Sequence, residues 1–147
     1  MNIIKESSEQ SDGIDVRIFD ILVKWIEEHQ KTRETITYAE LANRVDADSV
    51  ASSNIGTRLG RVSNYSREND FPPISVIVGS GSDGPGVGFY EALGYNQLSQ
   101  EKKTEIWIPL LNKVYSIPIE DWERLAEKYE IFVKNNQKNE KIINATK

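Results

Sequence analysis

The sequence predicts an α+β fold: a winged helix-turn-helix-like core with an N-terminal amphipathic helix and a C-terminal helical extension. Three observations predict it. Two capped helical segments lie close together, near 37–45 and 54–69. A β-branched run at 74–78 and a glycine-rich stretch at 79–88 follow, as a strand and a returning loop would. Apolar residues recur at helical spacing towards both ends of the chain. With 147 residues, 38% of them hydrophobic, the chain suits one domain with a real core.

The elements follow in order. Residues 5–13 are polar, and 1–13 are expected to form a flexible segment. A single globular domain is expected over 14–134, its winged-helix-like core at 36–89, and an Asn/Lys-rich polar tail over 135–147. Within 14–30, Ile14, Ile18, Ile21, Leu22, Trp25 and Ile26 line one helical face, with Trp25 as core anchor. Arg17, Asp20, Lys24, Glu27 and Glu28 occupy the other face. Thr37-Tyr38-Ala39-Glu40 is a capping box, in which Thr37 accepts from the Glu40 amide and Glu40 returns the bond. Ser52 and Ser53 offer the next cap, and the helix over 54–69 buries Ile55, Leu59, Val62 and Ser66. Asn54, Thr57, Arg61 and Asn64 point away from that stripe, with Arg58 at its border.

Phe71-Pro72-Pro73 ends the helix. Residues 74–78 read as a buried strand and 79–88 as the tip of a hairpin wing. Short helices are expected at 90–94 and 99–107, a break at Pro109, and a short strand at 114–117. The last helix, 119–134, buries Trp122, Leu125, Ala126, Tyr129 and Val133 behind acidic first-turn residues Glu120 and Asp121.

In a winged helix-turn-helix the second helix enters the DNA major groove. Here Tyr38, Asn54, Thr57, Arg58, Arg61, Asn64 and Arg67, with Ser80 and Ser82 of the wing, are the expected nucleic-acid-binding residues. Arginine forks onto guanine, asparagine pairs with adenine, and either type holds phosphate. From 51 to 67 there are three arginines and no acid. The same arginines have a second use, as ion-pair partners for Glu68, Asp70 or the acidic N-terminal segment.

Ile36-Thr37-Tyr38-Ala39-Glu40-Leu41-Ala42 resembles the V-x-T-Y-G-E-[IL]-A segment of alkylguanine-DNA alkyltransferases and alkyltransferase-like proteins. Ile55-Gly56-Thr57-Arg58-Leu59-Gly60-Arg61 is similar to their recognition helix, V-G-x-A-L. The resemblance spans about 55 residues (36–89) and implies a DNA-binding scaffold, with Tyr38 at the family's helper tyrosine. Ile74 stands near the family's acceptor cysteine, Ser53 near its base-extruding arginine, and the His-Arg after the cysteine is missing. Alkyl transfer is therefore excluded. Phe71-Pro72-Pro73-Ile74 and Gly84-Pro85-Gly86-Val87-Gly88-Phe89 also resemble a pattern in uncharacterised bacterial and phage proteins, which carries no implied activity.

Other classes are narrowed by composition. With no cysteine there is no disulfide, thiolate site or thiol nucleophile, and a lone histidine, His29, excludes a multi-histidine metal centre. His29 is expected to face solvent at the helix end. The loop 79–88 lacks the Lys-Ser or Lys-Thr of a P-loop. Asp46 and Asp48, like Glu120 and Asp121, read as helix-end charge. No cofactor or metal is expected, nor a membrane span or signal peptide, so the expected location is cytoplasmic. The formal net charge is −5, and the first 30 residues hold seven acids against three bases. Two functions follow: a non-enzymatic protein binding duplex DNA through 54–69 and the wing, or a protein-interaction module or inhibitor, such as a phage-encoded anti-defence protein, that uses its acidic surface.

Overall fold

The computed structural model describes residues 7–45, 55–79 and 97–145, with side chains as far as Lys138. Among these residues there are five α-helices: α1 Gly13–Glu28, α2 Tyr38–Arg44, α3 Ile55–Glu68, α4 Gln100–Ser116 and α5 Ile119–Ala145. Two 3₁₀ turns, Ser8–Gln10 and Ile74–Ile77, and two strands, β1 Ile36–Thr37 and β2 Val78–Gly79, complete the described order.

Helix α1 starts at Asp12, whose carboxylate accepts from the amides of Ile14 and Asp15, each at 3.0 Å. Asp15 returns the bond by accepting from the Asp12 amide at 3.1 Å, so the helix opens on a reciprocal capping box. Its apolar stripe, Ile18, Phe19, Leu22 and Ile26, is fully buried. The main neighbour of this stripe is α5. There Phe19 meets the rings of Trp122 and Tyr129 at centroid distances of 6.2 and 5.4 Å. Tyr129 stacks on Tyr65 of α3 at 4.3 Å, tying three helices into one aromatic core. Trp25 is the expected anchor, and its indole donates to the Glu34 carbonyl at 2.9 Å. In α2, Thr37 accepts from the Glu40 amide at 3.1 Å as expected, but the Glu40 carboxylate turns to Arg44 instead of back to Thr37.

The expected α+β winged helix is corrected to a small helical protein. Residues 74–77 form a buried 3₁₀ turn where a wing strand was expected. The reason lies in α3. Ser66 Oγ accepts the Ile74 amide at 3.3 Å, and Ser63 Oγ accepts the Ser75 amide at 3.0 Å. These two amides are thus spent on helix serines instead of on strand pairing. Within residues 74–79 only Val78–Gly79 forms a strand, and it pairs in parallel with Ile36–Thr37. The expected wing tip, with Ser80 and Ser82, and the expected helix at 90–94 lie outside the described residues.

Two further expectations change. Residues 100–116 form one helix through Pro109, and the expected strand at 114–117 is the helix's last turn and the cap beyond it. Pro109 is exposed, so the carbonyl it leaves unpaired four residues earlier, at exposed Glu105, is open to water. Helix α5 continues to Ala145, through most of the segment expected as a tail. No helix among the described residues is long and apolar enough to cross a membrane.

Candidate interaction site

The polar segment 7–12, expected to be loose, docks onto α3 and α5. Ser8 donates to the Glu68 carboxylate at 2.7 and 3.0 Å. The Tyr129 hydroxyl donates to Ser11 Oγ at 2.5 Å. Burial raises the Tyr129 hydroxyl well above an ordinary tyrosine, so it stays protonated as a donor. Asp12 and Asp15 lie one helical turn apart, as do Arg58 and Arg61. The two pairs meet face to face.

Arg58 Nη1 donates to Asp12 at 2.6 Å and to Asp15 at 3.0 Å. Arg61 Nε donates to Asp15 at 2.6 Å, and its Nη2 lies 3.4 Å from the same carboxylate. The Asp15 side chain is 0% exposed, Arg58 8% and Arg61 12%. The cluster is therefore an internal charge lock. Burial opposes ionisation of Asp12, but the Asp15 amide and the two guanidiniums outweigh it and hold its carboxyl below the usual aspartate value. The same guanidinium–carboxylate bonds keep Arg58 firmly charged against its own desolvation.

The residues expected to face DNA separate accordingly. Arg58 and Asn64 are buried, and Arg61 is half-buried in the lock. Tyr38 is half-buried, which raises its hydroxyl pKa. Thr57 and Arg67 are exposed. Asn54, Ser80 and Ser82 lie outside the described residues. The structure thus unites Arg58 and Arg61, but around carboxylates of this chain. The matched i,i+3 spacing of Asp12/Asp15 and Arg58/Arg61 was the sequence signal for that pairing.

His29 is half-buried at the end of α1, where it was expected to face solvent. It stacks on Trp25 at 3.8 Å, and its Nδ1 sits 2.9 Å from the Trp25 carbonyl. Arg44 covers the Trp25 ring at 5.1 Å.

A different face emerges between α1 and α5. A groove of about 370 Å³ is lined by Asp20, Val23, Lys24, Glu27, Glu123, Ala126, Glu127 and Glu130. Five carboxylates face one lysine there, an excess of four negative charges in a chain whose net charge is −5. Val23 and Ala126 are the buried apolar members of its lining. Glu130 pairs with Lys134 at 3.2 Å, while Asp20, Glu27, Glu123 and Glu127 make no ion pair among the described residues. Partial burial, and then the nearby Glu130 charge, raise the Asp20 carboxyl above its usual value. Sequence reading placed Asp20 and Glu27 on the polar face of α1, but the α5 acids opposite them required the helix pairing.

Among the described residues no group of three or more His, Cys, Asp or Glu side chains could hold a metal ion. No family model, curated protein or solved structure matches this chain.

Proposed function

We propose that the protein is a non-enzymatic protein-interaction module that engages a cationic partner through the acidic groove between α1 and α5. One observation carries this reading: four unpaired carboxylates face each other across a shallow groove with apolar lining at Val23 and Ala126. Like charges held on two packed helices cost the folded chain some stability. A lysine- or arginine-bearing surface relieves that repulsion, steers encounter and lays its aliphatic stems on the apolar lining. We also propose a cytoplasmic setting, which the cysteine-free composition suits. The alternative, duplex DNA held by α3, has less support because Arg58 and Arg61 are already paired within the chain.

The test is a salt series of titrations with a labelled Arg/Lys-rich peptide. The groove variant is Asp20→Asn/Glu27→Gln/Glu123→Gln/Glu127→Gln. Its control neutralises four exposed acids elsewhere: Glu9→Gln/Asp70→Asn/Glu101→Gln/Glu105→Gln. Both remove the same charge. The proposal expects binding to fall at least tenfold in the groove variant and by less than about threefold in the control. Equal losses in the two variants refute a groove-specific site.

A further inference from the structure

His29 presents a lone pair to a carboxylate. Its Nδ1 lies 2.9 Å from the Trp25 carbonyl. A carbonyl only accepts, so in the neutral ring Nδ1 carries the proton and Nε2 is an acceptor. That Nε2 lies 3.5 Å from Glu34 Oε2. Two acceptors thus face each other, and a cation between them relieves their repulsion. A proton is one such cation, but the distance also fits a metal. At zinc's bond lengths of about 2.0–2.2 Å and a tetrahedral angle, a nitrogen and an oxygen ligand stand about 3.4 Å apart. Adjacent ligands of an octahedral ion such as magnesium stand only about 2.8–3.0 Å apart.

Both residues are pre-positioned. The His29 ring stacks on Trp25 at 3.8 Å, with 21° between the planes. Its Nδ1 contact is the second bond that metal-ligating histidines make, which fixes tautomer and ring orientation. Glu34 is anchored through its own carbonyl, which accepts from the Trp25 indole at 2.9 Å and from the Tyr115 hydroxyl at 2.6 Å. Cations close by are engaged elsewhere. Arg44, over the Trp25 ring, pairs with Glu28 and Glu40, and Arg33 donates to Asn112. The Glu34 side chain is 60% exposed, so a metal ion can enter from solvent and keep waters as its remaining ligands.

We propose that His29 Nε2 and the Glu34 carboxylate form a two-ligand zinc site that ties the end of α1 to the chain entering β1. Two protein ligands, against the four of a structural zinc site, give a modest affinity. The site shares no residue with the acidic groove, so it stands or falls independently of that reading.

The test uses the full chain and zinc chloride, with magnesium chloride as control, at a pH where the His29 ring is neutral. The readout is the pair of ring-nitrogen resonances of His29, the only histidine. Zinc is expected to shift Nε2 saturably, with a midpoint below about 1 mM, while magnesium leaves it unmoved. Glu34→Gln keeps the anchoring carbonyl but loses the ligand charge, and should weaken zinc binding at least tenfold. Glu28→Gln removes a neighbouring acid of the same charge and should change it by less than about threefold. The proposal is overturned if Nε2 does not saturate with zinc, if magnesium shifts it alike, or if Glu34→Gln binds as tightly as wild type, as a lone histidine would.

Discussion

Asp15→Ala removes the carboxylate at the centre of the charge lock. In the native chain this fully buried group accepts from Arg58 at 3.0 Å and from Arg61 at 2.6 Å. It also accepts from the Asp12 amide at 3.1 Å, closing the cap of α1. The substitution leaves Arg61 without this carboxylate and Arg58 with Asp12 alone. Breaking a buried ion pair from one side costs about 3–5 kcal/mol, because the remaining charge stays desolvated. The cap bond adds up to about 1 kcal/mol. Set against a typical domain stability of about 5–15 kcal/mol, the variant should lose a large share of its stability. Urea unfolding followed by tryptophan fluorescence measures this directly. A triple variant, Asp15→Leu/Arg58→Met/Arg61→Met, removes the three most buried charges together, leaves the partly exposed Asp12 cap, and should lie within about 2 kcal/mol of wild type. A loss below about 1 kcal/mol for Asp15→Ala, or a triple variant as damaged as the single one, refutes the lock.

Other expectations follow from the same geometry. Asp12 has a folded pKa below its ordinary value of 3.8. Its stabilisation is therefore complete above that value and is lost as pH falls through the folded pKa, so Asp12→Asn should flatten the acid limb of a stability–pH curve. Asp20 is shifted the other way. The protonated form is favoured in the folded state, so Asp20→Asn should stabilise the protein at pH 7 by on the order of 0.5 kcal/mol, the scale of a screened surface pair, in thermal melts. Tyr115, pushed up to about 12 by burial and then by nearby Glu34, donates to the Glu34 carbonyl at 2.6 Å. Tyr115→Phe should cost about 1 kcal/mol in urea, and should remove a loss of wild-type stability that sets in above pH 10. Asp70 sits at φ +65° beyond the end of α3, so Asp70→Gly should raise the melting temperature by about 1–2 °C, from ~0.5 kcal/mol of relieved backbone strain.

The helices at the two ends of the chain were legible in the sequence from their apolar stripes alone. Ile18, Leu22 and Ile26 marked α1, and Trp122, Leu125 and Tyr129 marked α5 within a few residues of their observed start. Residues 74–78 misled because a β-branched run reads alike as a strand and as a buried turn. Ser63 and Ser66, whose hydroxyls decide the matter, look like ordinary helix residues. Arg58 and Arg61 looked like a DNA-reading pair because period 3.6 says which residues share a face but not what that face meets. Their ion-pair alternative, with the acidic N-terminal segment, is the one the fold uses. The groove was half legible: the α1 acids stood out, but no pattern along the chain pairs them with Glu123, Glu127 and Glu130.

The most direct test of the proposed interaction is a residue-by-residue NMR map of the full chain titrated with an Arg/Lys-rich peptide at low salt. The account predicts that amide shifts gather on 20–27 of α1 and 123–130 of α5, fade with added salt, and leave Ile55–Glu68 unmoved. Shifts centred on Thr57 and Arg67, or scattered over every exposed acid alike, would contradict it.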